Sequence, residues 1–395
     1  MFERSIARFA AARVASSRAP GAGARVGPLK LTTVAEPHLP GSDWTRIEPL
    51  LAGICGSDLA TVDGRSSRYF EPIVSFPFVP GHEVVARTED GGHVVVEPVL
   101  SCAPRGIDPP CPACAGGDID KCERIAFGAL EPGLQSGFCC DTGGGWGTAM
   151  VAHATQLHPV PDALTDEDAV MVEPAACAIH GAALAMLASP AAVAVIGAGT
   201  LGLLTISALR HFWGGVDTFG VPRILAAAKH PEQRRWALEL GADVVAEPDG
   251  LQRAVRRATG SLQFGGQLSG GAEAVIDCVG SAASIEQALS MVCPGGTVVL
   301  VGMPGRVSVD LTSLWQRQVD LIGSYAYGTE WSLDERRTFD LAFELVGVHR
   351  LGRLVTQTYP IARYAEAIEH AANAGRRGAV KIAFDHRPRD HRGPA

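Results

Sequence analysis

The spacing of hydrophobic and polar residues changes at two places along the chain and so divides it into three regions. Between residue 28 and about residue 165, short apolar runs alternate with turn-forming Gly and Pro, a pattern typical of short strands in a β-rich domain. From about residue 185 to 320, apolar runs of strand length alternate with apolar residues at helical spacing. Because parallel strands need helical crossovers, this alternation predicts a parallel sheet covered by helices.

Individual elements can be placed within this pattern. Strands are predicted at Ala192–Ile196, Arg223–Ala227, 274–278 and 297–301, with helices at 202–212 and 231–240. The last part of the chain predicts helices at 333–346 and 362–374 and a closing strand at 380–384. The predicted division is a β-rich domain at 1–184, a sheet-and-helix domain at 185–322, and a return to the first domain at 323–395.

The N-terminal residues are predicted to form a strand over residues 1–14 followed by a loop. A mitochondrial targeting peptide is the alternative, because five arginines stand among Ala and Ser: Arg4, Arg8, Arg13, Arg18 and Arg25. The segment lacks the apolar stretch of a secretory signal. The cytoplasm is therefore the expected location.

Length and composition narrow the class of protein. A chain of 395 residues favours two domains, and 47% hydrophobic with 19% charged residues is ordinary for a globular protein with a large core. The net charge of −8 argues against a nucleic-acid surface, which needs a basic stripe to neutralise phosphates. No uncharged apolar run approaches the ~20 residues of a membrane helix. We expect a soluble protein that binds neither nucleic acid nor membrane.

A glycine motif follows the first strand of the second region directly. Residues 197–202 read Gly-Ala-Gly-Thr-Leu-Gly, the G-x-G-x-x-G pattern between a strand and a helix. There, Gly197 allows a tight turn, Gly199 lets the backbone approach a pyrophosphate, and Gly202 lets helix and strand pack closely. The motif predicts a doubly wound Rossmann sheet that binds a dinucleotide. Candidate cofactor contacts are Gly197, Gly199, Thr200, Leu201, Gly202, Val279, Gly302, Met303 and Lys381.

The end of the second strand of this region bears on the choice between NAD and NADP. An acid there accepts hydrogen bonds from the ribose of NAD, but this strand runs into Ala228. Lys229, His230 and Arg234 follow, and such cations would pair with the 2′-phosphate of NADP. Solvated residues in the first turn of the next helix are the alternative. The sequence therefore predicts NADP in preference to NAD.

Two sets of metal-ligand residues stand apart from the dinucleotide motif. Cys55, His82, Glu83 and Glu173 offer a thiolate, an imidazole and carboxylates, the ligand types of a zinc ion that keeps one position open. For His82 alone, a hydrogen-bonded core histidine is the alternative. The second set is a local cluster typical of a closed metal site rather than of a disulfide scaffold, and consists of Cys102, Cys111, Cys114 and Cys122.

Taken in order, these motifs resemble the zinc-containing medium-chain dehydrogenase/reductase family of the alcohol dehydrogenase superfamily, and within it the sorbitol, threonine and glucose dehydrogenase branch. The resemblance covers residues 28–385. It rests on Gly-Ile-Cys-Gly-Ser-Asp at 53–58, Gly-His-Glu at 81–83, Glu-Pro at 173–174, the glycine motif at 197–202, Asp-Cys-Val-Gly at 277–280 and Gly-Ala-Val-Lys at 378–381. It implies a Rossmann domain joined to a β-rich GroES-like catalytic domain. It also implies a zinc-dependent oxidoreductase that moves a hydride between NAD(P) and a small alcohol, polyol, sugar or cyclitol, or its carbonyl.

The resemblance implies a role for each residue of the first set. Cys55 and His82 would be primary zinc ligands, and Glu173 stands where the alcohol dehydrogenase branch has a cysteine. Glu83 would either ligate directly or exchange with a water molecule. Asp58 would orient the ligand histidine.

A proton-accepting hydroxyl is also implied by position. Ser57 matches the family's relay hydroxyl, with a simple turn residue as the alternative. Ala60 departs from the family, because relatives often carry a relay histidine there. The onward route of the proton is therefore open.

The resemblance also assigns the cysteine cluster to a structural zinc lobe. Cys111, Cys114 and Cys122 match its last three ligands, and the usual position of the first ligand is Asp108. An insertion could loop out and return Cys102 to the site instead. Thiolate suits zinc better than carboxylate, so Cys102 is preferred and Asp108 is the alternative. Two zinc ions per chain are thus expected. A nucleic-acid-binding zinc ribbon is disfavoured by the acidic chain.

Two other functions remain open at this point. A zinc-independent quinone or enone reductase of the same superfamily would not need Cys55, His82 and Glu173 together. A catalytically silent dinucleotide-binding protein would keep the cofactor site without turnover. The substrate pocket is expected to draw on loop 63–78 and on residues near Tyr325. The resemblance also implies a homodimer or homotetramer, in which strand 297–300 could pair its edge across a symmetry axis.

Overall fold

The computed structural model describes residues 1–185, 192–214 and 222–388, and most of its strands belong to two large sheets. The first part of the chain has β1 (Trp44–Gly53), β2 (Val84–Thr88), β3 (His93–Val96), β4 (Met150–His153) and β5 (Leu157–Pro159). The middle part has β6 (Ala192–Ile196), β7 (Arg223–Ala227), β8 (Val244–Ala246), β9 (Gln263–Phe264), β10 (Gln267–Leu268), β11 (Ala272–Asp277), β12 (Val292–Leu300) and β13 (Asp320–Gly323). The last part has β14 (Thr329–Glu330), β15 (Arg336–Arg337), β16 (Val355–Tyr359) and β17 (Lys381–Asp385).

The helices are mostly short before residue 170 and longer after it. They are α1 (Ile6–Ser16), α2 (Gly23–Val26), α3 (Gly56–Val62), α4 (Pro112–Ala115), α5 (Asp166–Ala169), α6 (Val172–Ala183), α7 (Thr200–Phe212), α8 (Pro231–Glu239), α9 (Leu251–Thr259), α10 (Ala282–Met291), α11 (Thr312–Arg317), α12 (Thr338–His349) and α13 (Tyr364–Ala372). Within the described ranges, none has both the length and the apolar character needed to cross a bilayer.

The middle part of the chain forms a parallel sheet in the order β13-β12-β11-β6-β7-β8. Each neighbouring pair in it is parallel. The strand order reverses between β6 and β11, which is the arrangement of a doubly wound Rossmann sheet. Its strands are apolar on both faces because helices cover both faces. The predicted fold class is confirmed.

The other large sheet joins the two ends of the chain. Its order is β16-β17-β1-β2-β3-β5, with β4 also paired to β1. The pairs are antiparallel except for β16 with β17. Because β17 pairs with the end of β1, the last strands complete a sheet that the first strands begin. The boundaries at 184/185 and 322/323 remain predictions.

The strand predicted over residues 1–14 is wrong. The structure has helix α1 there, which begins after Ser5, whose side chain accepts a hydrogen bond from the backbone N–H of Arg8. Alanine makes up much of this segment and has the highest helix propensity, so propensity outweighs the apolar spacing. Only Phe2 pairs as an isolated bridge, with Phe78 and Leu29.

The helix predicted over residues 333–346 starts too early. Helix α12 begins at Thr338, because Asp334 and Glu335 both take positive φ angles of 59° and 56° and end the preceding turn. The next two residues form β15, which pairs with β14. The apolar helical pattern was correct from residue 338 onward.

The edge role predicted for strand 297–300 is also wrong. These residues lie in β12, which pairs with β11 on one side and with β13 on the other. Strand β13 follows it in the sheet order and occupies the edge. Strand β13 is only four residues long, Asp-Leu-Ile-Gly, and was not predicted from the sequence.

A buried arginine organises the lobe between residues 100 and 133. Arg105 is fully buried, and its guanidinium donates hydrogen bonds to five backbone carbonyl oxygens. These belong to Leu100, Phe127, Leu130, Glu131 and Gly133. Burial lowers the pKa of Arg105, although the carbonyl dipoles satisfy its donors. Arg105 therefore fixes the insertion at residues 104–109 against the rest of the lobe between residues 100 and 133.

We predict that Arg105→Met lowers the free energy of unfolding by at least about 3 kcal/mol, since each buried carbonyl left unpaired costs roughly 1–3 kcal/mol. Urea unfolding of the intact protein measures the effect. Arg124→Met is the matched control, because Arg124 is an exposed arginine of the same lobe. Its effect should stay within about 0.5 kcal/mol. Equal losses in the two variants would contradict the prediction.

Candidate functional site

Cys55 stands where strand β1 ends and helix α3 begins. It occupies the N-cap position of α3, and its backbone N–H donates to Oδ2 of Asp58 at 3.0 Å. This reciprocal cap fixes the first turn of the helix. The turn directs the Cys55 thiol, the Ser57 hydroxyl and the Asp58 carboxylate toward the same region.

His82 meets this turn from the neighbouring segment. Its ring is buried, with Nδ1 lying 3.5 Å from Oδ1 of Asp58 and Nε2 lying 3.5 Å from Oγ of Ser57. The two imidazole nitrogens therefore face different partners. Nδ1 faces the Asp58 carboxylate, which orients the ring. Nε2 faces the side of the site that carries the Cys55 thiol and the Ser57 hydroxyl.

Glu173 approaches from helix α6. Its carboxylate is buried, and Oε1 lies 3.4 Å from the hydroxyl of Tyr327 and 3.6 Å from the thiol of Cys177, both oriented to donate. Burial raises the pKa of Glu173 to about 7, while the charge of His82 lowers it and that of Glu83 raises it further. Sequence reasoning missed Tyr327 and Cys177. The i, i+4 spacing of residues 173 and 177 on a helix is the signal that could have identified Cys177.

The electrostatics of this region favour a bound cation. Burial lowers the pKa of His82, but the Asp58 carboxylate and the Cys55 thiol together raise it well above the ordinary value. Oδ1 of Asp58 and Nδ1 of His82 are buried without a hydrogen bond that meets normal geometry. The thiol of Cys55, the imidazole of His82 and the carboxylate of Glu173 thus influence one another electrostatically, and they are ligand types of zinc.

Glu83 is paired with a lysine. The Lys381 ammonium contacts Oε2 of Glu83 and donates to the Ile54 carbonyl at 3.3 Å. Burial lowers the pKa of Lys381, but the Glu83 carboxylate more than offsets this and the net shift is upward. A Cβ on Gly53 would lie 2.0 Å from Oε2 of Glu83, so only glycine fits beside the pair. The structure thus pairs Glu83 with Lys381. Zinc ligation by Glu83 and cofactor contact by Lys381 stay predictions.

Ala60 provides no relay group. Its side chain is buried, and its carbonyl accepts hydrogen bonds from the backbone N–H groups of Arg65 and Ser66 at 2.7 and 3.1 Å. Thr61, the next residue, donates to the carbonyl of Ser57 at 2.9 Å. The backbone carbonyl of Ala60 therefore stabilises a turn, and its methyl side chain cannot carry a proton.

The cysteine cluster is gathered into one group. The Sγ atoms of Cys102, Cys111, Cys114 and Cys122 all lie within 4.8 Å of one another. In the part of the chain that the structure describes, no other set of three or more ligand atoms is drawn together so closely. Backbone N–H groups point at two of the sulfurs, from Cys111 to Cys102 at 3.3 Å and from Arg124 to Cys122 at 3.4 Å. The exposed Asp108 is not in the group.

The predicted cofactor residues converge on one edge of the parallel sheet. The glycine motif follows β6, Val279 follows β11, and Gly302 with Met303 follows β12, all at carboxyl ends of strands. A Cβ on Gly202 would lie 1.7 Å from the Gly197 carbonyl oxygen, whereas one on Gly199 would meet nothing within 4 Å. Close packing at Gly202 and open space at Gly199 suit a pyrophosphate over the first turn of α7. Thr200 donates to the carbonyl of Val380 at 3.3 Å, which joins this turn to the other domain.

The cations after β7 differ in their partners. Arg234 lies 3.1 Å from the Glu247 carboxylate, whereas Lys229 is exposed. The pKa of His230 is lowered first by desolvation and then by the charges of Lys229, Arg376 and Arg234. Arg376, an exposed residue from the segment before β17, is therefore part of this cluster, although the sequence pattern did not identify it. The described residues include no carboxylate partner for Lys229 or Arg376.

The contact between the two domains at this cluster is close. A Cβ on Gly375 would lie 2.5 Å from Cδ2 of His230 and 2.9 Å from Nε2 of Gln233. Residues 375–381 thus pass from the cations after β7, past the glycine motif at Val380, to Lys381 beside Glu83. This one segment follows the cleft between the dinucleotide edge and the candidate metal site.

Comparison with known proteins bears on the whole chain. Residues 41–162 match the alcohol dehydrogenase GroES-like domain, and residues 200–346 match the zinc-binding dehydrogenase domain. The chain is 27% identical to an L-idonate 5-dehydrogenase of Vitis vinifera over 90% of its length and 92% of the relative's. It is 25% identical to a sorbitol dehydrogenase of Bacillus subtilis (strain 168), over 87% and 90%. An alcohol dehydrogenase from Thermus sp. ATN1 superposes with a TM-score of 0.69 at 26% identity, covering 90% of this chain and 96% of that one. The chain therefore belongs to the zinc-containing medium-chain dehydrogenase/reductase family of the alcohol dehydrogenase superfamily.

Proposed function

We propose that the protein is a zinc-dependent oxidoreductase that moves a hydride between NAD(P) and the carbinol carbon of a polyol or sugar alcohol. The proposal is supported by the buried His82, which lies 3.5 Å from both Asp58 and Ser57 on the turn that begins at Cys55, and by the buried Glu173, whose pKa burial raises and the charge of His82 lowers. Residues 375–381 lead from this region to the carboxyl edge of the Rossmann sheet. The names of the idonate and sorbitol dehydrogenases among its relatives support a polyol substrate. Oxidation of a panel of polyols with NADP and NAD tests it, and absence of turnover with every polyol would refute it.

Each part of the chain has a distinct task in this reaction. Cys55, His82 and Glu173 would hold a zinc ion, which when bound supplies Lewis-acid polarisation of a substrate oxygen. Ser57, whose Oγ lies 3.5 Å from Nε2 of His82, is placed to hydrogen-bond the substrate hydroxyl. The turn at the start of α7 would hold the dinucleotide, which when bound supplies the hydride acceptor or donor. Glu173 and Tyr327 are almost completely buried, so water would have little access to their side of the site.

The finer assignments of location and assembly are part of the proposal. A cytoplasmic location is supported by the cysteine cluster, whose thiolates bind metal only when they are kept reduced. A homodimer or homotetramer is supported by β13, whose outer edge ends the parallel sheet and pairs with no other strand among the described residues.

We predict two zinc ions per chain, one in each ligand set. Cys114→Ser should leave about one ion and lower the melting temperature, because closed zinc sites contribute folding free energy. Elemental analysis and thermal unfolding of protein purified without chelator measure both effects. Cys293→Ser is the matched control, since Cys293 lies on β12 outside both sets. Full metal content and unchanged stability in Cys114→Ser would show that the cysteine cluster binds no zinc.

We predict that Cys55→Ala and His82→Ala each lose nearly all turnover while NADPH still binds. The reason is that the metal ligands and the dinucleotide turn stand on different domains. Fluorescence titration with NADPH and steady-state kinetics separate the two functions. Cys293→Ala serves as the control, because Cys293 lies on β12 outside both ligand sets. Retained activity in either ligand variant would rule out the catalytic zinc.

We propose that NADP is preferred over NAD, and that Arg376 contributes to the preference together with Lys229. A charge-assisted contact with a phosphate contributes roughly 1.5–3 kcal/mol. Solvent exposure reduces this, so we expect wild-type kcat/KM to favour NADP by about 10 to 100-fold. Arg376→Ala should reduce that ratio by about tenfold.

Arg377→Ala is the control for this prediction, because Arg377 is the adjacent arginine and its guanidinium pairs with Glu369 at 3.1 Å. The measurement is kcat/KM with each cofactor for the three proteins. A wild-type preference for NAD would mean that the cations after β7 face solvent. A wild-type preference for NADP that Arg376→Ala leaves unchanged would remove only Arg376 from the site.

A further inference from the structure

The loop of residues 63–78 connects the two segments that carry the candidate zinc ligands. It begins at the end of α3, which follows Cys55, and it leads to His82. The loop includes the 3₁₀ turn Arg68–Ile73 and has no large-sheet strand of its own. Its conformation must therefore be fixed by contacts with other parts of the chain.

The start of the loop is held by the N-terminal segment, residues 2–23. Asp63 is almost fully buried, and its carboxylate accepts hydrogen bonds from the Ser16 hydroxyl at 2.7 Å and from the backbone N–H groups of Gly21 and Gly23 at 3.0 and 3.3 Å. Gly64 takes a φ of +67°, and a Cβ there would lie 2.5 Å from the carbonyl oxygen of Phe9. Helix α1 thus packs directly on the loop, and Ser16 with the residues that follow α1 donates hydrogen bonds to a buried carboxylate, which also lies 3.6 Å from the Arg65 guanidinium.

The middle and the end of the loop contact the same segment. Arg4 forms an ion pair with Glu71. The backbone of Phe2 exchanges two hydrogen bonds with that of Phe78, at 2.7 and 3.2 Å. The N-terminal segment therefore holds the loop at its start, its middle and its end.

Aromatic rings continue this contact to the candidate metal site. The rings of Phe2 and Phe78 stack with centroids 5.1 Å apart, Phe78 lies 5.3 Å from Phe138, and Phe138 lies 5.7 Å from the ring of His82. Phe2 and Phe78 are almost fully buried. Displacement of Phe2 would leave a void at one end of this packed row, and closely packed side chains transmit such a change to their neighbours.

The N-terminal segment lies outside both family domains that the chain matches, which begin at residues 41 and 200. We propose that it is a clamp that positions loop 63–78, and through it His82 and the substrate-binding side of the site. Phe2, Arg4 and Ser16 are its positioning residues. The proposal rests on the proposed function for its substrate, but the geometry of the clamp is independent of which polyol is oxidised.

The test compares Phe2→Ala and Phe2→Leu with Arg18→Ala. Phe2→Ala should lower kcat/KM for the polyol about tenfold while KM for NADP stays unchanged, because misplacement by a fraction of an ångström affects only the substrate side. It should also speed transfer of the catalytic zinc to a chelator about tenfold, since residues that orient ligands tune metal affinity. Phe2→Leu should retain most of the wild-type polyol kcat/KM and a rate of zinc transfer close to that of the wild type. Arg18, exposed and without an ion pair among the described residues, should change neither.

If Phe2→Ala does not fold, the ion pair between Arg4 and Glu71 provides a second test. Arg4→Ala and Glu71→Ala replace residues whose side chains are partly exposed, and the double variant should lower polyol kcat/KM no further than either single variant. A lower melting temperature with unchanged polyol kcat/KM and unchanged zinc transfer would overturn the clamp and leave a structural role only. A wild-type enzyme that oxidises no polyol would overturn the proposed function instead, and zinc transfer would still decide on the clamp.

Discussion

The buried ion pair between Glu83 and Lys381 is the contact on which the rest of the catalytic domain depends. Two charges this far from water are tolerated only when each satisfies the other, and removal of one partner typically costs about 3–5 kcal/mol. Glu83 adjoins the candidate ligand His82, and Lys381 begins the strand that pairs with the end of β1. The pair therefore fixes the last part of the chain against the segment that carries His82, and the Lys381 ammonium also donates to the carbonyl of Ile54, next to Cys55. Gly53 is required beside it because any side chain would occupy the position of the carboxylate.

The same pair determines where the cofactor cleft lies. Because Lys381 is fixed at the metal end, the residues before it must run back along the face of the Rossmann domain. They pass the carbonyl of Val380, which accepts from Thr200, and reach Gly375 against His230. A dinucleotide in this cleft would contact both domains along its length. Residues 375–381 thus contact both the dinucleotide turn and the candidate metal site.

Patterns that depend on local geometry were visible in the sequence, and those that depend on distant partners were not. The glycine motif, the parallel strands and the two ligand sets follow from spacing and residue type, and the structure gathers the four cysteines with Cys102 instead of Asp108. Sequence spacing could not show that Lys381 pairs with Glu83, or that Arg376 approaches His230 from the other domain. The helix α1 could have been predicted from its alanine content, but its packing on Asp63 could not.

Helix α6 connects the two metal-ligand sets. Glu173, Cys177 and His180 recur at i, i+4 and i+7, so they lie on one face of the helix. At the far end of this face, His180 lies 2.9 Å from Glu330 and 3.7 Å from Asp120, a residue between Cys114 and Cys122 in the sequence. Burial raises the pKa of Asp120, while the charge of His180 lowers it. The helix that presents the third candidate ligand thus contacts the cysteine lobe, so packing of that lobe also restrains the position of Glu173.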